Sequence, residues 1–143
     1  MKIRVAVCDS SRMRYFAVDP DSGALREIDD RVHEASRQRV RDLASDRPGR
    51  DRGRDGGGHG LGDDRDIHKH EVALFAREVA EVLNQDTLAG RIIRLYILSP
   101  PEFLGLLRKE LHPATTALVE GDKAVNVVAE SVDKIRLQLP DRL

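Results

Sequence analysis

The residues whose types and spacing suit chemistry are concentrated between positions 42 and 71, in DLASDRPGRDRGRDGGGHGLGDDRDIHKHE. Seven of the chain's eleven glycines lie in this stretch and none of its aromatics does. It reads as an exposed loop, flexible over about residues 44–62, between two patterned halves. Glycine-rich backbone can present N–H groups to an anion. The chain just before it is basic: residues 31–54 hold eight arginines and four acids, net +4, whereas residues 55–71 carry a net charge of −3. Arg37, Arg41, Arg47, Arg50, Arg52 and Arg54 are therefore the candidate contacts to nucleic-acid phosphates or to a protein partner. The interleaved Asp42, Asp46, Asp51 and Asp55 suit neutralisation of those arginines within the loop equally well, and composition does not choose between the two.

A metal reading attaches to His68-Lys69-His70-Glu71. On a helix His68 and His70 point about 200° apart and cannot share an ion, which leaves Asp64 with His68 and Asp66 with His70, each i,i+4. Two ligands make a poor site, and a solvated helical first turn capped by an aspartate explains the same residues. No metal or other cofactor is expected. Asp9, at the end of the first apolar run, stands where a ribonuclease H-like nuclease has its lead carboxylate, but no convincing second and third acids follow on later elements. Beside Ser10 and Ser11 it reads as a turn former. The lone Cys8 has no partner for an internal disulfide or a zinc pair and reads as a small buried hydrophobe.

Regular elements on either side must position these groups. Residues 2–8 alternate Ile3, Val5 and Val7, the mark of a half-buried strand. Residues 14–18 form a second strand, closed by the turn Asp19-Pro20-Asp21-Ser22-Gly23. Residues 25–32 form a third at a sheet edge, with its charges facing water. Residues 34–43 suggest a short Arg-rich helix in which Arg37 and Arg41, four apart, repel. After the glycines a helix is predicted from about Asp64 to Asn84, with Val72, Phe75, Ala76, Val79, Ala80 and Leu83 on one stripe and Asp63, Asp64 or Asp66 as its cap. Residues 91–98 read as a strand buried on both faces. Ser99-Pro100-Pro101 opens a helix that Pro113 stops, residues 125–129 supply a fifth strand, and the tail 131–143 is ambiguous. Phe75, Tyr96 and Phe103 fall in core pattern, which leaves no base-stacking platform.

The order of three strands, loop, helix, strand, helix, strand predicts an α/β fold. We expect a single domain, 1–143, built on one mixed five-stranded sheet with packed helices in ribonuclease H-like topology. With 24 Lys and Arg against 25 Asp and Glu, the molecule has no global basic field, and nucleic-acid binding would need a local patch. No run approaches membrane-spanning length and no export signal is visible, so a cytoplasmic protein without membrane insertion is expected.

Four motifs in order, DSSRMRYF at 9–16, DLASDRPGR at 42–50, the glycine cluster before HKHEVALFAREVAEVL, and SPPEFLGLLRKEL at 99–111, resemble the bacterial host attachment proteins over nearly the whole chain. That family is grouped with bacterial relatives of archaeal and eukaryotic release factors. The resemblance thus implies the fold of the middle domain of the eukaryotic class-one release factor, where a Gly-Gly-Gln loop triggers hydrolysis of peptidyl-tRNA. Gly57-Gly58-His59 stands where Gly-Gly-Gln would be, and Phe75-Ala76-Arg77 fits the helix that follows. Gly57, Gly58 and His59 are thus the candidate catalytic residues, although a histidine replaces the glutamine and neither a codon-reading nor a partner-binding domain accompanies them. The expected function is a noncatalytic module that binds RNA, tRNA, the ribosome or a protein partner through its Arg/Gly-rich loop. The alternatives are a hydrolase of aminoacyl- or peptidyl-tRNA esters and, behind it, a metal-dependent nuclease.

Overall fold

The computed structural model of the chain describes residues 1–34 and 57–143. Five strands, β1 (Ile3–Cys8), β2 (Arg12–Val18), β3 (Leu25–Val32), β4 (Arg94–Ser99) and β5 (Val119–Ala124), form one open sheet in the order β3-β2-β1-β4-β5. β2 is antiparallel to both β1 and β3, whereas β4 pairs in parallel with β1 on one side and β5 on the other. Four helices accompany the strands among the described residues: α1 (Gly57–Leu88), α2 (Pro101–Glu110), α3 (Pro113–Thr116) and α4 (Val132–Leu137). The fold is α/β with a single mixed sheet, as the sequence predicts.

The sheet is apolar on both sides. Ala6, Cys8, Met13, Tyr15, Leu95 and Ile97 face a core built with Phe75, Ala76, Val79, Ala80 and Leu83 of α1 and Phe103, Leu104 and Leu107 of α2. Val5, Val7, Phe16, Val18, Tyr96 and Leu98 face a second core closed by Val128, Ile135 and Leu139. The predicted α1 stripe is thus the buried face, and each large side chain on it contributes roughly 1.5–3 kcal/mol of burial. β1 is not half-buried as its alternation suggests. Val5, Ala6, Val7 and Cys8 are all fully buried, because the strand lies between β2 and β4 and feeds both cores. β3 does form an edge with mostly exposed side chains, and the turn before it closes on Gly23, whose φ of +75° suits glycine.

Beyond shifts of a few residues at the ends of β2, β4 and α1, three boundaries differ from the sequence reading. α1 begins at Gly57, so residues 57–62 of the predicted loop fall within the helix, and Asp63, Asp64 and Asp66 lie inside it rather than at its cap. Extending a nucleated helix gains a hydrogen bond for each residue fixed, which offsets the poor propensity of glycine. The rest of that loop and the Arg-rich helix proposed at 34–43, beyond Glu34, lie outside the described residues. The fifth strand is Val119–Ala124 and not 125–129. An edge strand needs only backbone pairing to β4, so the polar VEGDKA run qualifies, whereas Val125, Val127 and Val128 pack on the second core. Lastly, α2 ends at Glu110 and Pro113 opens α3 instead of stopping a longer helix. Buried Asn84 of α1 joins them, donating to the Glu110 carbonyl at 3.2 Å and accepting from the His112 N–H at 2.9 Å.

The segment over the second face is held by polar contacts to the sheet. Arg14 of β2, only 8% exposed, forms a two-pronged pair with Glu27 of β3 at 3.1 and 2.9 Å. Its remaining terminal nitrogen donates to the carbonyls of Val128 at 3.0 Å and Glu130 at 2.7 Å. Arg136 of α4 donates to the Gly23, Pro140 and Asp141 carbonyls, tying the tail to the β2–β3 turn. The 131–143 tail, ambiguous in sequence, is the second covering layer. Removing one partner of a buried charge pair strands the other groups, at a cost of about 3 kcal/mol. Arg14→Leu is expected to lower urea-unfolding stability by about that amount and to speed amide exchange at Val125 and Glu130. Glu27→Gln, which leaves the two carbonyl contacts in place, should cost less in the same assay.

Candidate functional site

The carboxyl ends of β1, β3 and β4 lie along one edge of the sheet, and the chain passes from β3 toward the Arg/Gly-rich segment from that edge. Its departure point is fixed. His33, 7% exposed, donates from Nδ1 to the Ser10 carbonyl at 2.8 Å, since a carbonyl can only accept, and its own backbone N–H donates to the Ser11 carbonyl at 2.8 Å. The imidazole also stacks on Phe75 of α1, with ring centroids 4.7 Å apart and planes 11° from parallel. Loop, helix and strand end thus meet at one histidine. Its position was missed in sequence because the contact joins residues 42 apart in number; only its place directly after a strand marked it.

The acid–base groups nearby are engaged. Asp9 Oδ1 accepts from the Ser11 N–H at 2.8 Å, the Ser11 hydroxyl at 2.9 Å and the Arg12 N–H at 2.9 Å. This is the turn role expected of it. Arg12 grips Asp30 across the β2–β3 pair at 2.9 and 2.7 Å, and that hydrogen-bonded guanidinium lowers the Asp30 carboxyl. Cys8 is fully buried, and burial pushes its thiol up to about 12, against the smaller lowering by a hydrogen bond with Ser99 and with a small further rise from the charge of Asp9. A thiol so protonated is a poor nucleophile at neutral pH.

Toward the other end of α1, Asp86 binds the Tyr15 hydroxyl at 2.8 Å, Arg4 at 3.3 Å and Arg91 at 3.0 Å. Burial and then the Asp86 hydrogen bond raise the Tyr15 hydroxyl well above its ordinary range. This cluster fastens α1 to β1 and β2. All five aromatics are buried, none more than 6% exposed, as the core pattern implied.

Of the residues predicted to act, Gly57, Gly58 and His59 are the first three of α1. Arg37, Arg41, Arg47, Arg50, Arg52 and Arg54 lie outside the described residues. Among the described residues no three His, Cys, Asp or Glu side chains converge as a metal site. No described helix is long and apolar enough to cross a membrane.

A family model described as "Protein required for attachment to host cells" matches residues 4–139, which takes in all four helices named above and every strand except the first residue of β1. A comparison with curated proteins finds no match.

The raised thiol makes a pH prediction. An unfolded cysteine ionises near 9.0 while the folded one resists until about 12, so the folded state binds the extra proton between these values. The contribution is present below about pH 9 and is lost as pH rises toward 12, with a limiting slope of about 1.4 kcal/mol per pH unit. Tyr15 adds a loss of the same sign at higher pH. Chemical denaturation from pH 8 to 10 should show a steeper decline for the parent than for Cys8→Ala, and iodoacetamide should label Cys8 at pH 8 only on unfolding.

Proposed function

We propose that this chain, which belongs to the family of proteins required for attachment to host cells, acts as a noncatalytic interaction module whose Arg/Gly-rich segment binds RNA or the ribosome. The observation that supports this reading is the pinned departure point at His33. It fixes where the chain leaves the sheet toward the arginine-bearing segment, at the carboxyl edge of the parallel strands, the edge where open α/β sheets commonly take ligands. With every aromatic buried, recognition rests on arginine and backbone contacts to phosphates and carries a strong salt dependence. The strand order, with β1, β4 and β5 parallel, supports ribonuclease H-like topology and, with it, kinship to the release-factor middle domain as parts of the same proposal. In this reading the protein works in the cytoplasm and attachment to host cells is an indirect outcome.

A second reading, hydrolysis of aminoacyl- or peptidyl-tRNA esters, draws on the position of Gly57-Gly58-His59 in the first turn of α1. The first four N–H groups of a helix have no intrahelical acceptor, and such donors can stabilise a developing oxyanion. His59 in place of glutamine and the occupied Asp9 weigh against efficient catalysis, and they leave a metal-dependent nuclease further behind.

Replacing Arg47, Arg50, Arg52 and Arg54 together by Ala is expected to weaken single-stranded RNA binding and to flatten the log–log salt slope by roughly 0.7 for each phosphate no longer neutralised. The circular dichroism spectrum should be unchanged. Unaltered affinity and slope would mean the segment neutralises itself or serves a protein partner. For the second reading, the parent should give no codon-dependent release and at most slow hydrolysis of free peptidyl-tRNA. Any such hydrolysis should fall more with Gly57→Ala and Gly58→Ala than with His59→Gln, because an added Cβ crowds the approach of the ester to the backbone.

A further inference from the structure

We propose that the cleft between α1 and α2 binds a small amphipathic anion, an apolar body carrying one carboxylate or phosphate head. The cleft has a volume of about 470 Å³, within the usual range for small-ligand sites. Val72 of α1 and Phe103 and Leu106 of α2 supply its apolar lining, and all three belong to or pack against the first core. Arg65, Lys69 and Lys109 stand around it with Glu102 the lone carboxylate of the lining, so the site carries a net positive charge.

On the same two helices Arg77 pairs with Glu110 and Arg108 with Asp122. Among the described residues Arg65, Lys69 and Lys109 have no carboxylate within ion-pair distance. Arg65 and Lys69 are also like charges four apart on one helix, an arrangement that weakens it unless an anion intervenes. His68 lines the same cleft, and its Nδ1 is buried with no hydrogen-bond partner among the described residues. A buried polar nitrogen left unpaired is costly, and a ligand head or its hydration water would satisfy it.

Gly105 supplies an independent sign. It lies in the middle of α2 and on the cleft wall, where a Cβ would meet nothing within 4 Å. Glycine weakens a helix interior relative to alanine, yet neither its backbone conformation nor close packing requires it here. What its missing side chain provides is an open cleft. Apolar lining, unpaired cations and an unfilled wall together describe a receptor for an anionic head with a short apolar body.

The test is an amide NMR titration of the full chain with octanoate, octyl phosphate and, as the uncharged control, 1-octanol. At least one anion should give saturable shifts centred on Val72, Gly105 and Leu106, at least tenfold tighter than octanol. Tighter binding of octanoate assigns a carboxylate head, tighter binding of octyl phosphate a phosphate head, and equal binding recognition by charge alone. The double variant Lys69→Gln, Lys109→Gln should lose tenfold or more of the anion's affinity and leave octanol binding as it was. Gly105→Leu, which fills the wall without backbone strain, should abolish binding while keeping or raising the melting temperature. The proposal is overturned by octanol binding as tightly as the anions, by no saturable shift with any probe, or by full affinity in either folded variant.

Discussion

Two-sided burial of the central strands is the constraint on which the other features depend. β1 and β4 lie inside the sheet and send alternate side chains into two separate cores. An apolar face left in water forfeits the burial that holds such a sheet together, so each face requires its own cover. The first face receives α1 and α2, two helices with continuous apolar stripes. The second receives a segment with a single six-residue helix, too short to be stable alone. Buried polar contacts compensate. Arg14 satisfies its charge with a carboxylate and two carbonyls, and in doing so fixes where the tail crosses the sheet.

That demand on the interior leaves little for chemistry within the described sheet. All five aromatics are spent on burial, the carboxylate of Asp9 shapes a turn, Asp86 fastens a helix and Cys8 is held as a neutral thiol. Each is a group that sequence reading can take for a catalyst. In the tertiary structure each is occupied by a neighbour or by the absence of water. Recognition is proposed instead for the arginine-bearing segment that follows His33, outside the described residues, and for the cationic cleft between α1 and α2.

Local periodicity was sufficient for much of the fold. The apolar alternation of β1, the continuous run of β4, the edge charges of β3, the turn ending at Gly23 and the stripe from Val72 to Leu83 are all written in residues close together in the chain. Backbone geometry translates such spacing directly into a face. The family was legible for a related reason, since its motifs are short and ordered along the sequence. The tertiary structure alone decided the rest. The polar VEGDKA segment is a strand because β4 offers it a parallel edge. Residues 125–129, richer in β-formers, cover the second core instead of pairing as a strand, and Arg14, more than a hundred residues earlier, donates to the carbonyls of Val128 and of Glu130 just beyond them. His33 became an anchor, and Gly105 a cleft wall, only when elements distant in sequence packed beside them. Propensity is a preference of a few tenths to one kcal/mol per residue, and it yields wherever long-range burial and hydrogen bonding are worth more.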